Sequence, residues 1–83
     1  MTSNTPNIII YSTPYCPYCV RAKDLLTRKG LGFTEILIDE DDQKREEMIA
    51  KTNRMTVPQI FIGEQHVGGY DDLYALDRAG KLI

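Results

Sequence analysis

At 83 residues the chain is long enough for one domain around a modest core, and its 42% hydrophobic and 27% charged residues argue against disorder. A formal net charge of -2 and a pI near 5.2 argue against a nucleic-acid or polyanion binder, which carries a basic face. Met1 to Asn7 is polar and the apolar run after it is too short for a secretory core or a membrane span, so no membrane role and a cytoplasmic protein are expected.

Met1 to Asn7 read as a loose lead-in. Ile8-Ile9-Ile10-Tyr11 is an unbroken, mostly β-branched run, the pattern of a central strand buried on both faces. Ser12 to Tyr15 form a turn. A helix is expected from Pro17 to about Lys29, with Cys19, Ala22, Leu25 and Leu26 inward and Gly30 ending it in a left-handed conformation. Phe33 to Ile38 reads as a second strand with one face better buried. Strand, crossover helix and strand make a right-handed βαβ unit with parallel strands. Asp39 to Asp42 supply caps and first-turn acids for a surface helix from about Gln43 to Thr52, whose apolar face is limited to Met48, Ile49 and the stem of Arg45. Gln59 to Ile62 and Gln65 to Val67, joined by a Gly63-Glu64 turn, form an antiparallel hairpin. A last helix, capped by Asp71 or Asp72, runs to about Ala79 with Leu73 and Leu76 inward. The order βαβ then ββα predicts an α/β architecture with a four-stranded mixed sheet flanked by three helices, one domain over residues 1–83.

Cys16 and Cys19 are the only two cysteines, and they fall where the first strand gives way to the first helix. Cys16 takes the N-cap and Pro17 the first helical position, where proline's missing N–H costs nothing. Unpaired N–H groups of the first turn and the positive end of the helix dipole then face the Cys16 sulfur and favour negative charge on it. The thiolate is the nucleophile of disulfide exchange, and Cys19, one turn deeper, is near enough to close a disulfide with Cys16. Cys-x-x-Cys beside a βαβ pattern points to dithiol–disulfide redox chemistry. Two other readings stay open. Half of a structural zinc site needs two further ligands, for which the chain offers only His66 and carboxylates. An inert disulfide would close a loop too short to constrain the unfolded chain much, and would be kept reduced inside a cell. Arg21, Lys23, Arg28 and Lys29 crowd the helix with only Asp24 against them, either as solvated surface or as a mildly positive region that steadies a thiolate and draws anionic substrates.

Two downstream motifs are candidates for choosing the substrate. Thr56-Val57-Pro58 precedes a strand; its X-Pro bond is either an ordinary trans loop bond or a cis bond that exposes the Val57 backbone for an extended peptide to pair with. Gly68-Gly69-Tyr70-Asp71-Asp72 feeds a helix N-terminus. It is either a plain Asp-capped turn or a turn whose N–H groups bind a carboxylate while Asp71 takes an adjacent ammonium, gripping both charges of an α-amino acid head group. Tyr15, Tyr18 and Tyr70 are candidate walls, whereas Tyr11 and Tyr74 sit at positions typical of packing. His66 reads as an exposed strand residue, since nothing places it beside the thiol as a general base.

With Cys16-Pro17-Tyr18-Cys19, Thr56-Val57-Pro58 and Gly68-Gly69-Tyr70-Asp71-Asp72 all in view, the chain from Ile8 onward resembles the dithiol glutaredoxins of the small bacterial kind. Segments such as Lys44-Arg45-Glu46-Glu47-Met48-Ile49 and Asp72-Leu73-Tyr74-Ala75-Leu76-Asp77 extend the likeness. The resemblance implies a thioredoxin-like fold, a cis Val57-Pro58 bond and a glycine turn that binds glutathione. It implies a glutathione-dependent thiol–disulfide oxidoreductase serving electron transfer and cell redox homeostasis. Cys16 would attack glutathione mixed disulfides and Cys19 would resolve mixed disulfides with proteins. Val57 would pair through its backbone with the cysteinyl part of glutathione, Tyr18, Thr56 and Pro58 would line its groove, and the Tyr70 main chain with Asp71 and Asp72 would hold the γ-glutamyl end. Glutathione is then a co-substrate, with no tightly bound cofactor and no metal. The implied partners are glutathionylated or disulfide-containing proteins, ribonucleotide reductase being one candidate, and the expected state is a monomer.

Many glutaredoxins carry a lysine three residues before the first cysteine; here Thr13 stands there. It donates a hydrogen bond but no charge, which implies a weaker hold on the glycyl carboxylate of glutathione or less support for the Cys16 thiolate. A rival function is a carrier that holds a [2Fe–2S] cluster between two subunits through Cys16 and glutathione; by the same resemblance, Pro17 counts against it. Thioredoxin-type coupling to a reductase fits the cysteine pair but not the glycine turn.

Overall fold

The computed structural model of the chain describes residues 7–82, so the expected lead-in lies outside it except for Asn7, whose carbonyl accepts the Gly63 N–H at 2.7 Å. The elements follow in the expected order: β1 (Ile8–Ser12), α1 (Pro17–Arg28), β2 (Thr34–Leu37), α2 (Asp42–Thr52), β3 (Gln59–Ile62), β4 (Gln65–Gly68) and α3 (Tyr70–Arg78). They build a mixed sheet in the order β2-β1-β3-β4, with β1 parallel to β2 and antiparallel to β3, and β3 antiparallel to β4. Among the described residues no helix is long and apolar enough to cross a membrane.

The alternating side chains of β1 divide the core between the two faces of the sheet. Ile8 and Ile10 point to one side, where Ala22, Leu25 and Leu26 of α1, Leu73 of α3 and Ile60 of β3 close over them with Leu82. Ile9 and Tyr11 point to the other, against Ile38, Met48 of α2 and Phe61. Burying a side chain of this size is worth about 1.5 to 3 kcal/mol, so the α1 and α3 face carries most of the apolar stabilisation.

Three features differ from expectation. β2 loses one residue at each end of the expected Phe33 to Ile38, because it is an edge strand paired only with β1, with Thr34, Glu35 and Leu37 exposed. The surface helix α2 is better anchored than its thin apolar stripe suggests. Met48 and Thr52 are buried, and the Tyr11 hydroxyl donates to the Glu47 carboxylate across the gap to the sheet. The third is the N-cap of α3, which is Gly69 and neither Asp71 nor Asp72; Asp72 sits at the third helical position and its carboxylate accepts the Gly69 N–H at 3.0 Å.

Candidate active site

The site starts at the C-terminal end of β1. Cys16 is the N-cap of α1 with extended backbone, Pro17 follows at the first helical position, and the Cys19 N–H donates to the Cys16 sulfur at 3.2 Å. The expected arrangement of an orphan helix-end N–H on the sulfur is therefore present. The Cys16 thiol also reaches the Val57 carbonyl at 3.7 Å. The two cysteines are unequal: Cys16 is partly accessible and Cys19 fully buried. Burial, followed by the hydrogen bond with Cys16, pushes the Cys19 thiol up to about 12, against which a backbone hydrogen bond from Thr13 and the charge of Lys23 pull down. Thr13 acts here through its backbone; its carbonyl also accepts the Cys16 N–H at 3.5 Å.

Val57 joins the surroundings of the Cys16 sulfur to a cavity of about 310 Å³ lined by Tyr18, Thr56, Val57, Pro58, Tyr70, Asp71 and Asp72, together with Arg54, Gln59 and Gly69. Residues from three separate stretches thus meet around one cavity, which Val57 links to the Cys16 sulfur. Thr13 is not among the walls. Tyr15 is not either: it stands 79% exposed on the turn. The Val57-Pro58 bond is cis, as the resemblance implied.

The threonine-valine-proline loop is held from behind by Gln59, which is buried on β3. Its side-chain nitrogen donates to the Thr56 carbonyl at 3.0 Å and to the Thr56 hydroxyl at 3.2 Å, which leaves its oxygen to accept from His66 Nε2 at 2.7 Å. His66 is accordingly not the exposed strand residue expected. It is half-buried, its ring lies 5.0 Å from that of Phe61, and burial, then Arg54, lowers its pKa while Asp72 opposes the shift.

The glycine turn is built by sterics. Gly68 has φ +120, and a Cβ there would fall on the Asp72 carboxylate, so only glycine lets that carboxylate fold back to cap α3. Asp72 is therefore engaged with Gly69 and, at 3.7 Å, with Arg54. Asp71 is exposed.

Sequence reasoning passed over Arg54 and Gln59. Arg54 is the cationic wall of the cavity, and the turn that carries it is fixed by the Thr52 hydroxyl, which accepts the Arg54 N–H at 3.0 Å, and by Asn53 in a left-handed conformation at φ +62. A cation two residues before Thr56-Val57-Pro58 was the available signal. Of the two readings of the α1 cations, solvated surface fits most of them: Lys23 pairs with Glu35, Arg28 with Asp24 and Lys29 with Asp77, at 2.7, 3.2 and 2.8 Å. Glu35 also accepts from Ser12 at 2.6 Å, and the Lys23 and Ser12 hydrogen bonds hold its carboxyl below the usual range.

A family model described as glutaredoxin matches residues 8–67. The chain belongs to the glutaredoxin family. A glutaredoxin of Pseudomonas aeruginosa is 58% identical over 77 residues, covering 93% of this chain and 92% of the relative. The solution structure of a glutaredoxin from Brucella melitensis superposes with a TM-score of 0.84 at 52% identity, over 98% of this chain and 88% of that one. The crystal structure of a buckwheat glutaredoxin–glutathione complex gives 0.85 at 34% identity, over 93% of this chain and 73% of that one. The fold of this glutaredoxin is thioredoxin-like, and the protein is a thiol–disulfide oxidoreductase.

Proposed function

We propose that this glutaredoxin uses glutathione as its reductant, with Cys16 as nucleophile and Cys19 as resolving cysteine. The observation that carries the reading is the cavity that runs from Val57, beside the Cys16 sulfur, to the glycine turn, and that holds both a cation and carboxylates among its walls. A tripeptide with two carboxylates, one ammonium and a central thiol has the matching chemistry, and a neighbouring fold was crystallised as a glutathione complex.

In the first step the Cys16 thiolate attacks the glutathionyl sulfur of a mixed disulfide. A bond forms from Cys16 to that sulfur, the bond to the protein sulfur breaks, and the protein leaves as a thiolate that takes up a proton. The backbone of Val57 pairs with the cysteinyl part, Tyr18, Thr56 and Pro58 wall it, and the Tyr70 N–H takes the γ-glutamyl carboxylate at the start of α3. Asp71 holds the ammonium; Asp72, occupied as a cap, shapes the turn. Arg54 takes the glycyl carboxylate and so supplies the charge that Thr13 lacks. A second glutathione thiolate then attacks the glutathione sulfur on Cys16, releasing glutathione disulfide and the Cys16 thiolate.

With a protein disulfide, Cys16 forms a mixed disulfide and Cys19, once deprotonated, attacks the Cys16 sulfur and expels the protein thiolate. Two glutathione molecules then reduce the Cys16–Cys19 disulfide. The reading extends to a monomer acting as one domain in the cytoplasm, where such a pair can cycle, on glutathionylated and disulfide-containing proteins. Glutathione-dependent turnover of a glutathionylated peptide tests it: Cys19→Ser keeps turning over and Cys16→Ser is inactive. Absence of turnover in both the unaltered protein and Cys19→Ser would remove the glutathione site.

A further inference from the structure

α1 and α3 present a row of aromatic rings that begins in the cavity wall and continues outside it. Tyr18 and Tyr70 stand with centroids 6.2 Å apart, tilted by 31°, and Tyr70 and Tyr74 follow at 6.0 Å and 32°. An arginine closes each end. The Arg21 guanidinium lies 5.3 Å from the Tyr18 centroid; that of Arg78 lies 5.7 Å from the Tyr74 centroid and donates to the Tyr74 hydroxyl at 2.9 Å. Tyr18 and Tyr74 remain 52% and 43% exposed, so the row is surface and not core, and Tyr74 is not the packing residue its position suggested. Among the described residues neither Arg21 nor Arg78 makes an ion pair, whereas the other cations of α1 are matched by carboxylates.

We propose that this row is the docking surface for protein substrates and that it selects an extended segment carrying carboxylates on both flanks of its disulfide-bonded cysteine. The proposal rests on the oxidoreductase reading above. Same-face side chains of an extended strand recur at roughly 6.5 to 6.8 Å, close to the ring spacing, so alternate residues of such a segment each meet one ring. Tyrosine offers that contact at low entropic cost. The two terminal guanidiniums are already oriented by their rings and still have N–H groups free for a carboxylate in the fork geometry that favours arginine over lysine. The carboxylates next in sequence to Tyr70, Asp71 and Asp72, line the cavity and serve the smaller ligand. The partner class is thus an acidic, unstructured or strand-like segment around a disulfide or glutathionylated cysteine.

Two glutathionylated peptides that differ only in having Glu or Lys on the flanks of the cysteine test this, with a small uncharged disulfide as a third substrate. In the unaltered protein kcat/KM is higher for the Glu peptide, and added salt lowers that value but not the one for the small disulfide. In the Arg21→Glu, Arg78→Glu double variant the Glu peptide loses about tenfold in kcat/KM and the Lys peptide gains, as expected for charge reversal at an exposed interface, while the small disulfide is turned over as before. Arg21→Gln with Arg78→Gln gives the same ordering with smaller steps. Equal treatment of both peptides by the unaltered protein, or an equal loss for both in the variants, with the small disulfide still reduced, overturns the proposal alone. Failure of the unaltered protein to reduce the small disulfide with glutathione overturns the functional reading and this proposal together.

Discussion

The Cys19 N–H supports the Cys16 sulfur at 3.2 Å while the Cys19 side chain is fully buried and its thiol is pushed up to about 12. One residue thus serves the proposed nucleophile through its backbone and withholds its own sulfur. Iodoacetamide near pH 8 is expected to place one adduct per native chain, on Cys16, and two only in denaturant, because the thiolate is the reacting form. Mass spectrometry of the intact and digested protein reads this directly; rapid double labelling of the native chain would contradict the assignment.

Arg54 is the charge on which glutathione affinity depends in the proposed site. Arg54→Ala is expected to raise the KM for glutathione about tenfold with a small change in kcat, the size of one partly exposed charge-assisted contact, and Arg54→Lys to recover part of it. Initial rates over a range of glutathione concentrations separate the two constants. An unchanged KM would place the glycyl carboxylate elsewhere.

Gly68 and Gly32 make a matched pair. Gly68→Ala is expected to cost about 2 kcal/mol or more, since the side chain would meet the Asp72 carboxylate at a positive φ, and to weaken glutathione binding along with it. Gly32 has nothing within 4 Å of its missing Cβ, so Gly32→Ala is expected to be neutral or slightly stabilising. Urea unfolding of both variants decides.

His66 holds Gln59, and Gln59 holds Thr56. His66→Leu leaves the buried Gln59 oxygen without a donor and is expected to cost about 1 to 2 kcal/mol and to raise the KM for glutathione by loosening the Thr56-Val57 loop. The folded protein lowers the His66 pKa, so the neutral ring is favoured and this contribution is lost as pH falls below the ordinary histidine range. A stability gain in His66→Leu at neutral pH would contradict the latch.

The Tyr11–Glu47 bond sets both ends of the pH range. Tyr11, followed by Lys44 and Lys51, holds the Glu47 carboxyl low against opposing desolvation, and Glu35 is held low in the same sense, so their stabilisation is full above the ordinary carboxylate range and is lost as pH falls through the folded values. Burial, then Glu47, raises the Tyr11 pKa, so its contribution is full below about pH 10 and lost above it. The double variant Glu35→Gln, Glu47→Gln is expected to show a lower urea midpoint at neutral pH and a smaller decline toward about pH 3 than the unaltered protein.

Local patterns carried most of the fold. The β-branched run at Ile8 fixed a central strand, Pro17 after Cys16 fixed a helix start, and Gly63-Glu64 fixed a hairpin, because each depends on neighbours within a few residues. What escaped depends on distant partners. In sequence alone Asp71 or Asp72 stands as the N-cap, because the approach of Asp72 to Gly69 needs the Gly68 conformation, and β2 extends too far, because its exposure follows from sheet order. His66 looked exposed since its partners lie across the hairpin on β3. In the site, the cysteine pair was legible as chemistry, whereas Arg54 and Gln59 belong to it only through the way the chain folds back.

The sheet order β2-β1-β3-β4 has a further consequence. Cys16 follows β1 and Val57 precedes β3, the two inner strands, while the glycine turn follows β4, an outer one. Cys16 and the backbone beside it hang from the stiff centre of the molecule; the glycine turn and α3, with the proposed γ-glutamyl contacts and the Tyr70 to Arg78 end of the proposed docking row, hang from its rim. Sequence drift along the rim can therefore change what this scaffold accepts while the exchange chemistry stays as it was, so new substrates are reachable by small steps that each leave a working enzyme.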